Sequence, residues 1–296
     1  DKSHQNEILQ IPSFPLLLPL RLAKKIKKNC LKDPILRQFI PLNGEQITND
    51  LFIKDPVGDT DATRGCRYLQ KYQGRALLYV TSACAMNCRY CFRQHYSSTA
   101  YSPLFEKELS LIKENEDLHE VILSGGDPLS LSNTQLSFLF KELDQIDHLK
   151  IIRIHSRSLI GLPERLDLQL LKIFKETKKQ IIFVLHTNHK NEFDQDILAA
   201  LLKIKNLGIP LLTQSVLLKG VNNSHQALFD LFFFLVSHGI IPYYLHQLDR
   251  VQGATAFEVD VSEGHRLIAS LRKSLPGYAI PSYVQEIASQ PHKTPL

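Results

Sequence analysis

The chain contains no apolar run long enough to cross a bilayer. Its most hydrophobic stretch near the start, residues 14–20, is broken by Pro15 and Pro19 and falls far short of the roughly 20 residues that a spanning helix needs. No export signal is visible, because the basic residues Arg21, Lys24, Lys25, Lys27 and Lys28 follow that stretch instead of preceding it. Methionine occurs once, at Met86, so the initiator is missing and the sequence is expected to be trimmed or to begin partway into the natural protein. Neither sign of charge dominates: 35 Lys+Arg against 30 Asp+Glu give +5, too mild a balance to indicate nucleic acid, whose binders concentrate positive charge on one face. The dense basic run 24–28 reads either as a solvated helix face or as a docking surface. Cysteine is sparse and odd in number, five in 296 residues, which argues against a disulfide scaffold and for a reducing compartment. The expectation is a soluble cytoplasmic protein with no membrane and no nucleic-acid partner. Its 44% apolar and 22% charged residues lie in the globular range.

What the sequence does contain is a regular alternation. Strand-like runs at 75–81, 120–124, 150–155, 180–186, 210–215 and 240–246 are separated by segments with apolar residues three and four apart, at 109–115, 136–146, 166–176, 197–206, 227–237 and 263–275. Ser132 and Ser262 are candidate N-caps. Such a series builds a parallel sheet, which either stays open and doubly wound or curls into a partial barrel. Polar clusters end successive runs: Ser124-Gly125-Gly126-Asp127, His155-Ser156-Arg157, His186-Thr187-Asn188-His189, Gln214-Ser215 and His246-Gln247-Leu248-Asp249. Convergence of those ends on one mouth favours the barrel. The expected fold is therefore α/β, a partial (β/α)6 TIM-like barrel over residues 75–276, with an N-terminal helical cap over 1–74 and a short C-terminal extension over 277–296.

At the end of the first run stand Cys84, Cys88 and Cys91, spaced C-x3-C-x2-C. Three thiolates can hold three irons of a [4Fe–4S] cluster and leave the fourth iron open for a ligand. A Cys3His zinc site using His95 and a set of purely structural thiols remain alternatives. Tyr90, just before the third cysteine, reads equally as a ring over a cofactor or as a loop tyrosine around the cluster. Gly125 and Gly126 let backbone approach a ligand closely.

The three cysteines, followed after the second run by Gly125-Gly126-Asp127-Pro128, resemble the radical S-adenosylmethionine superfamily. Segments at 71–75, 91–93, 123–129, 186–189, 214–218, 242–244 with Asp249, and 277–278 leading to Lys293 resemble the lysine 2,3-aminomutases, over about Leu69 to Leu296. The resemblance implies three cofactors: a [4Fe–4S] cluster, S-adenosylmethionine and pyridoxal 5′-phosphate held as a Schiff base by Lys293. It implies that Lys71, Tyr72 and Arg75 cradle the cofactor phosphate, and that Ser124, Gly125, Gly126, Asp127, His186 and Gln214 lie in the cofactor site. Arg93 would pair with the substrate α-carboxylate, and Asp249 and Glu286 would receive a lysine ε-ammonium. The family commonly has aspartate where Glu286 stands, one methylene shorter. A Schiff-base lysine has to be deprotonated, so Lys293 is expected inside the mouth, buried near other cations.

Catabolic members carry a zinc-binding C-terminal extension and a further cysteine shortly after the fifth strand. Here the chain stops three residues after Lys293, and Ser224 stands about where that cysteine would be. This is similar to the elongation factor P branch, which implies conversion of (S)-α-lysine to (R)-β-lysine, an external electron donor, and a separate ligase that attaches β-lysine to elongation factor P. Synthesis of free β-lysine for catabolism or as an osmolyte, and a non-catalytic iron–sulfur or zinc docking module, are the alternatives.

Overall fold

The computed structural model describes residues 6–64, 67–96 and 104–296. Strands β1 (Tyr68–Tyr72), β2 (Arg75–Thr81), β3 (Glu120–Gly125), β4 (Ile151–Ser156), β5 (Gln180–His186), β6 (Leu211–Val216), β7 (Ile241–His246), β8 (Ser282–Gln285) and β9 (Thr294–Pro295) form one sheet in that order. Neighbours from β2 to β8 pair parallel, while β1 and β9 pair antiparallel at the two edges. Strand order follows chain order throughout, so there is no reversal point of the kind that defines a doubly wound sheet. The sheet therefore curls as a partial barrel and stays unclosed.

Helices α1 (Leu20–Lys25), α2 (Pro34–Phe39) and α3 (Asp59–Ala62) precede the sheet. The strands alternate with α4 (Glu106–Glu114), α5 (Asn133–Asp144), α6 (Ser158–Gly161), α7 (Leu168–Glu176), α8 (Gln195–Asn206), α9 (His225–Ser237) and α10 (Val261–Leu271). Ser132 caps α5 by accepting from Gln135 N at 3.2 Å. The cap of α10 is Asp260, which accepts from Ser262 N at 2.7 Å. Its carboxylate also complements the positive helix end, and Ser262 is already inside the helix.

Period-2 alternation decides what reaches the interior. On β4, Ile152 and Ile154 are buried in the main core with Leu139, Ile173 and Leu231 of the helices, whereas Arg153 and His155 between them line the central cavity. The same division puts Ile122 and Ser124 of β3, and Gln214 and Val216 of β6, on the cavity side. Each fully buried leucine or isoleucine of the outer face contributes roughly 1.5–3 kcal/mol. Polar side chains on the inner face are thus carried by a scaffold that does not depend on them.

Lys71 and Tyr72 precede the first parallel strand, as expected, but they belong to a strand of their own. β1 folds back on β2 through Gly74, whose φ of +71° suits glycine and where a Cβ would lie 2.0 Å from His119 Cε1. The extended tail pattern contains β8, so Glu286 directly follows a parallel strand.

The N-terminal segment is tied to the cysteine loop. Arg89, 1% exposed, donates to Phe14 O at 2.8 Å and from Nε to Glu45 at 2.7 Å, and Asn87 N donates to Leu17 O at 2.9 Å. The basic run divides: Arg21 pairs with Asp194 and Asp196 and Lys25 with Asp194, all at 2.9 Å. Part of the run thus docks α1 against the start of α8. Among the described residues, no helix is long and apolar enough to cross a membrane.

Candidate active site

The C-terminal strand ends surround a cavity of about 530 Å³, a size suited to small molecules. Every residue singled out from the sequence as a cofactor or substrate ligand lines it.

Cys84, Cys88 and Cys91 lie on the loop after β2. Burial pushes the thiols of Cys84 and Cys91 up to about 12 and about 11, and that of Cys88 upward as well; backbone N–H groups of Met86 and Arg93 oppose the shift at Cys84 and Cys91, and the Arg157 guanidinium opposes it at Cys88. Half-buried thiols so placed ionise when a cation arrives, as an iron site requires. His95, the fourth ligand that zinc would need, lies 3.1 Å from Gln252 O. Tyr90 lines the cavity, where its hydroxyl accepts from Asn188 at 2.6 Å and its ring meets Phe257 edge-on.

Gly125 and Gly126 line the cavity and meet a second demand for glycine, from the chain itself. A Cβ on Gly126 would lie 2.3 Å from Ala83 O, and one on Gly125, at φ +135°, 2.4 Å from Thr81 O. Gly126 N donates to Thr81 O at 2.7 Å and Asp127 N to Ala83 O at 2.9 Å. The glycines therefore let two chain segments touch and so position the cysteine loop. Gly126→Ala is expected to cost about 1–3 kcal/mol by overpacking and to reduce iron content, checked by thermal unfolding and iron analysis. Asp127 is likewise engaged by the chain, accepting from Leu129 N, Ser156 Oγ, Arg157 N and Ser158 N at 2.7–3.0 Å.

Across the cavity runs a chain of charges. Arg93 donates from Nε to Asp59 Oδ2 at 2.9 Å and from Nη1 to Ser124 Oγ at 3.0 Å. Asp59 Oδ1 also holds Lys71 Nζ at 2.6 Å, and Lys71 stands 3.7 Å from Glu286. Glu286 takes Lys293 Nζ and the Tyr72 hydroxyl, both at 2.6 Å. Burial pushes the Glu286 carboxyl up, but Lys293, Tyr72 and Lys71 together hold it below its usual range. Arg75 lies 4.6 Å from the Tyr72 ring and pairs with no carboxylate among the described residues. Lys293 does stand inside the mouth. Its direct partner, however, is a carboxylate rather than the cations expected, because β8 carries Glu286 to the same side.

Asp249 behaves differently from Glu286. It is half-buried, its Oδ1 is buried with no hydrogen-bond partner among the described residues, and burial pushes its carboxyl up to about 7, with Lys293 and Lys71 opposing and Glu286 and Asp59 adding to the rise. An unpartnered buried carboxylate is costly unless a cation joins it.

Sequence reasoning assigned no role to Asp59, Arg157, His155 or His246. Asp59 sits in the long connection before β1, where no motif distinguishes it from other loop acids. His155 Nδ1 lies 3.2 Å from His186 Nε2. Burial holds His155 and His246 neutral and pulls His186 down to about 3. The Nε2 atoms of His155 and His246 have no hydrogen-bond partner among the described residues. The strand-end clusters contained three of these four residues, so position was the available signal.

Residues 78–232 match the Radical SAM superfamily. Solved structures agree in fold: native anSMEcpe with bound AdoMet and Kp18Cys peptide superposes with a TM-score of 0.50 at 11% identity, covering 67% of this chain and 58% of that one. Barrel and three-cysteine loop together thus define a radical S-adenosylmethionine enzyme. L-lysine 2,3-aminomutase of Escherichia coli strain K12 is 38% identical over 96% of this chain and 83% of its own length. The corresponding protein of Haemophilus influenzae is 37% identical over 95% and 84%, and that of Methanococcus maripaludis 35% over 100% and 70%. The chain belongs to the lysine 2,3-aminomutase family, and it is an isomerase.

Superfamily membership brings a [4Fe–4S] cluster and S-adenosylmethionine, and the loop fits the cluster. Cys84, Cys88 and Cys91 would each take one iron, and because all three line the cavity the fourth iron would be accessible to a ligand from it.

Proposed function

We propose that the enzyme moves the amino group of L-lysine from C2 to C3, giving (R)-β-lysine, with pyridoxal 5′-phosphate attached to Lys293. The observation that carries the substrate is Asp249, whose buried Oδ1 at the cavity wall has no partner among the described residues, a seat for an ammonium group rather than for an apolar or anionic side chain. Arg93, held by Asp59 and Ser124, would present its remaining donor edge to the α-carboxylate.

The cofactor phosphate would meet Lys71, Tyr72 and Arg75. Two cations and a hydroxyl on β1 and the start of β2 suit a dianion, and Arg75 has no carboxylate to give up among the described residues. Glu286 links this cradle to Lys293 through Tyr72 and Lys71. When bound, pyridoxal phosphate supplies an aldehyde for the migrating amine, and the cluster with S-adenosylmethionine supplies the radical that starts the migration. The protein's part is to fix both ends of lysine, to keep His155, His186 and His246 neutral beside them, and to exclude water from the reacting carbons. The radical step draws its electron from an external low-potential donor.

The product is proposed to be passed by a ligase to a lysine of elongation factor P. Glu286 in place of the family's usual aspartate supports that branch. A cytoplasmic setting accords with Cys30, Cys84, Cys88 and Cys91 being free thiols.

The test is an anaerobic assay of the iron-reconstituted, reduced enzyme with S-adenosylmethionine, pyridoxal phosphate and L-lysine, followed by chiral separation. (R)-β-lysine is expected, and norleucine, which lacks the ε-ammonium, is expected to stay unchanged. (S)-β-lysine would redirect the enzyme to free β-lysine synthesis. Norleucine turnover equal to lysine would remove Asp249 from the substrate site.

A further inference from the structure

Arg157, at the end of β4, is 6% exposed and points Nη1 at Cys88 Sγ from 3.5 Å. A guanidinium stays protonated inside a protein, so a full positive charge faces the sulfur that would bind iron. The charge is fixed in place. Nη2 is held by Gln38 Oε1 at 2.8 Å and Glu192 Oε2 at 3.0 Å, the backbone N–H by Asp127 at 2.7 Å, and the rings of Phe39 and Tyr90 lie 4.9 and 5.6 Å from the guanidinium carbon. Glu192, fully buried, engages the terminal nitrogen other than the one facing sulfur. Its own charge is spread over Gln38, Thr187 and the N–H groups of Asn188 and His189 at 2.9–3.1 Å. The positive end of the Arg157–Glu192 pair is thus turned toward the cysteine loop.

We propose that Arg157 is a positioning residue for electron entry, setting the reduction potential of the cluster through Cys88, with Glu192 limiting how much of its charge is felt. In the step concerned, a low-potential one-electron donor is oxidised and the cluster is reduced. One electron moves, no bond forms or breaks, and cluster plus thiolates gain one negative charge. Net charge, hydrogen bonds to sulfur and burial set such potentials, and Arg157 supplies the first two where the third keeps screening weak. A fixed cation stabilises the more negative, reduced state, so it raises the potential and eases reduction. Gln38 belongs to α2, so the N-terminal cap takes part in holding Arg157 in place.

The experiment is a redox titration of the reconstituted full-length protein followed by electron paramagnetic resonance, without substrate. At a fixed applied potential, Arg157→Gln is expected to lower the reduced-to-oxidised ratio about tenfold, equivalent to about 59 mV for one electron. Arg157→Lys, which keeps the charge, is expected to recover most of that loss, and Glu192→Gln to move the ratio the other way. A purely structural role would change cluster content without these opposed shifts. If Arg157→Gln loads its cluster fully and titrates like the wild type, the proposal fails. If that variant holds no cluster, Glu192→Gln decides: a raised ratio supports the proposal, and an unchanged or lowered one overturns it.

Discussion

Replacing Lys293 with alanine is expected to leave fold and iron content unchanged while abolishing covalently held pyridoxal phosphate and lowering turnover ~10⁴-fold or more, the scale seen when a covalent catalytic group is deleted. Two amines face the cavity in this region, and their surroundings separate them. Lys71 is held by Asp59 at 2.6 Å and by Val57 O at 2.7 Å, a fixed ammonium suited to an anion. Lys293 has one carboxylate partner, Glu286, and a side chain 27% exposed, so it can leave that partner and reach an aldehyde. Borohydride reduction followed by peptide mass spectrometry gives the readout. Wild type and Lys71→Ala are both expected to carry the pyridoxyl adduct on Lys293, and Lys293→Ala to carry none. An adduct found on Lys71 would reverse the two assignments.

Asp249→Asn is expected to raise the KM for lysine roughly 10²–10³-fold, because truncating one partner of a buried charge pair costs about 2–5 kcal/mol. The same change is expected to stabilise the ligand-free protein. Burial lifts the carboxyl to about 7 from an unfolded value near 4. Between those values the folded state binds the proton more tightly than the unfolded state does. Stability is therefore lost as pH rises through that window, and the charged form is the costly one above it. At pH 8 the asparagine variant is expected to melt several degrees above wild type, and at pH 4 the difference is expected to vanish. The two effects share one cause, an acid short of partners, to which the proposed substrate ammonium would bring one. Equal melting at both pH values would show that Asp249 is already compensated.

The six central strands were legible to within one or two residues because short apolar and β-branched runs recurring at βα spacing mark parallel strands. Edge strand β1 was not. Tyr68–Tyr72 is short and half polar, and its identity as a strand comes from pairing with β2 across a glycine turn. The cysteine loop, Lys293 and the carboxylates at 249 and 286 were legible through family resemblance, each in a recognisable segment. Asp59 had no such segment. It matters through Lys71 and Arg93, side chains that reach it from a strand and from the cysteine loop. Arg157 stood in a visible strand-end cluster, but nothing in the chain signals that its guanidinium meets a cysteine 69 positions earlier.

The sequence by itself determined the βα alternation and the three-thiol loop, because periodicity and spacing are local properties, while the residues that line one mouth were marked by family resemblance. Only the tertiary structure decided how those residues divide their charges. Glu286 is engaged by Lys293 and Tyr72 while Asp249 is left without a partner among the described residues, and Gly125 and Gly126, which line the cavity, also let two chain segments pack together. Pairings of this kind are fixed by which strands lie side by side and how deeply each group is buried. Both arise from the curled sheet as a whole.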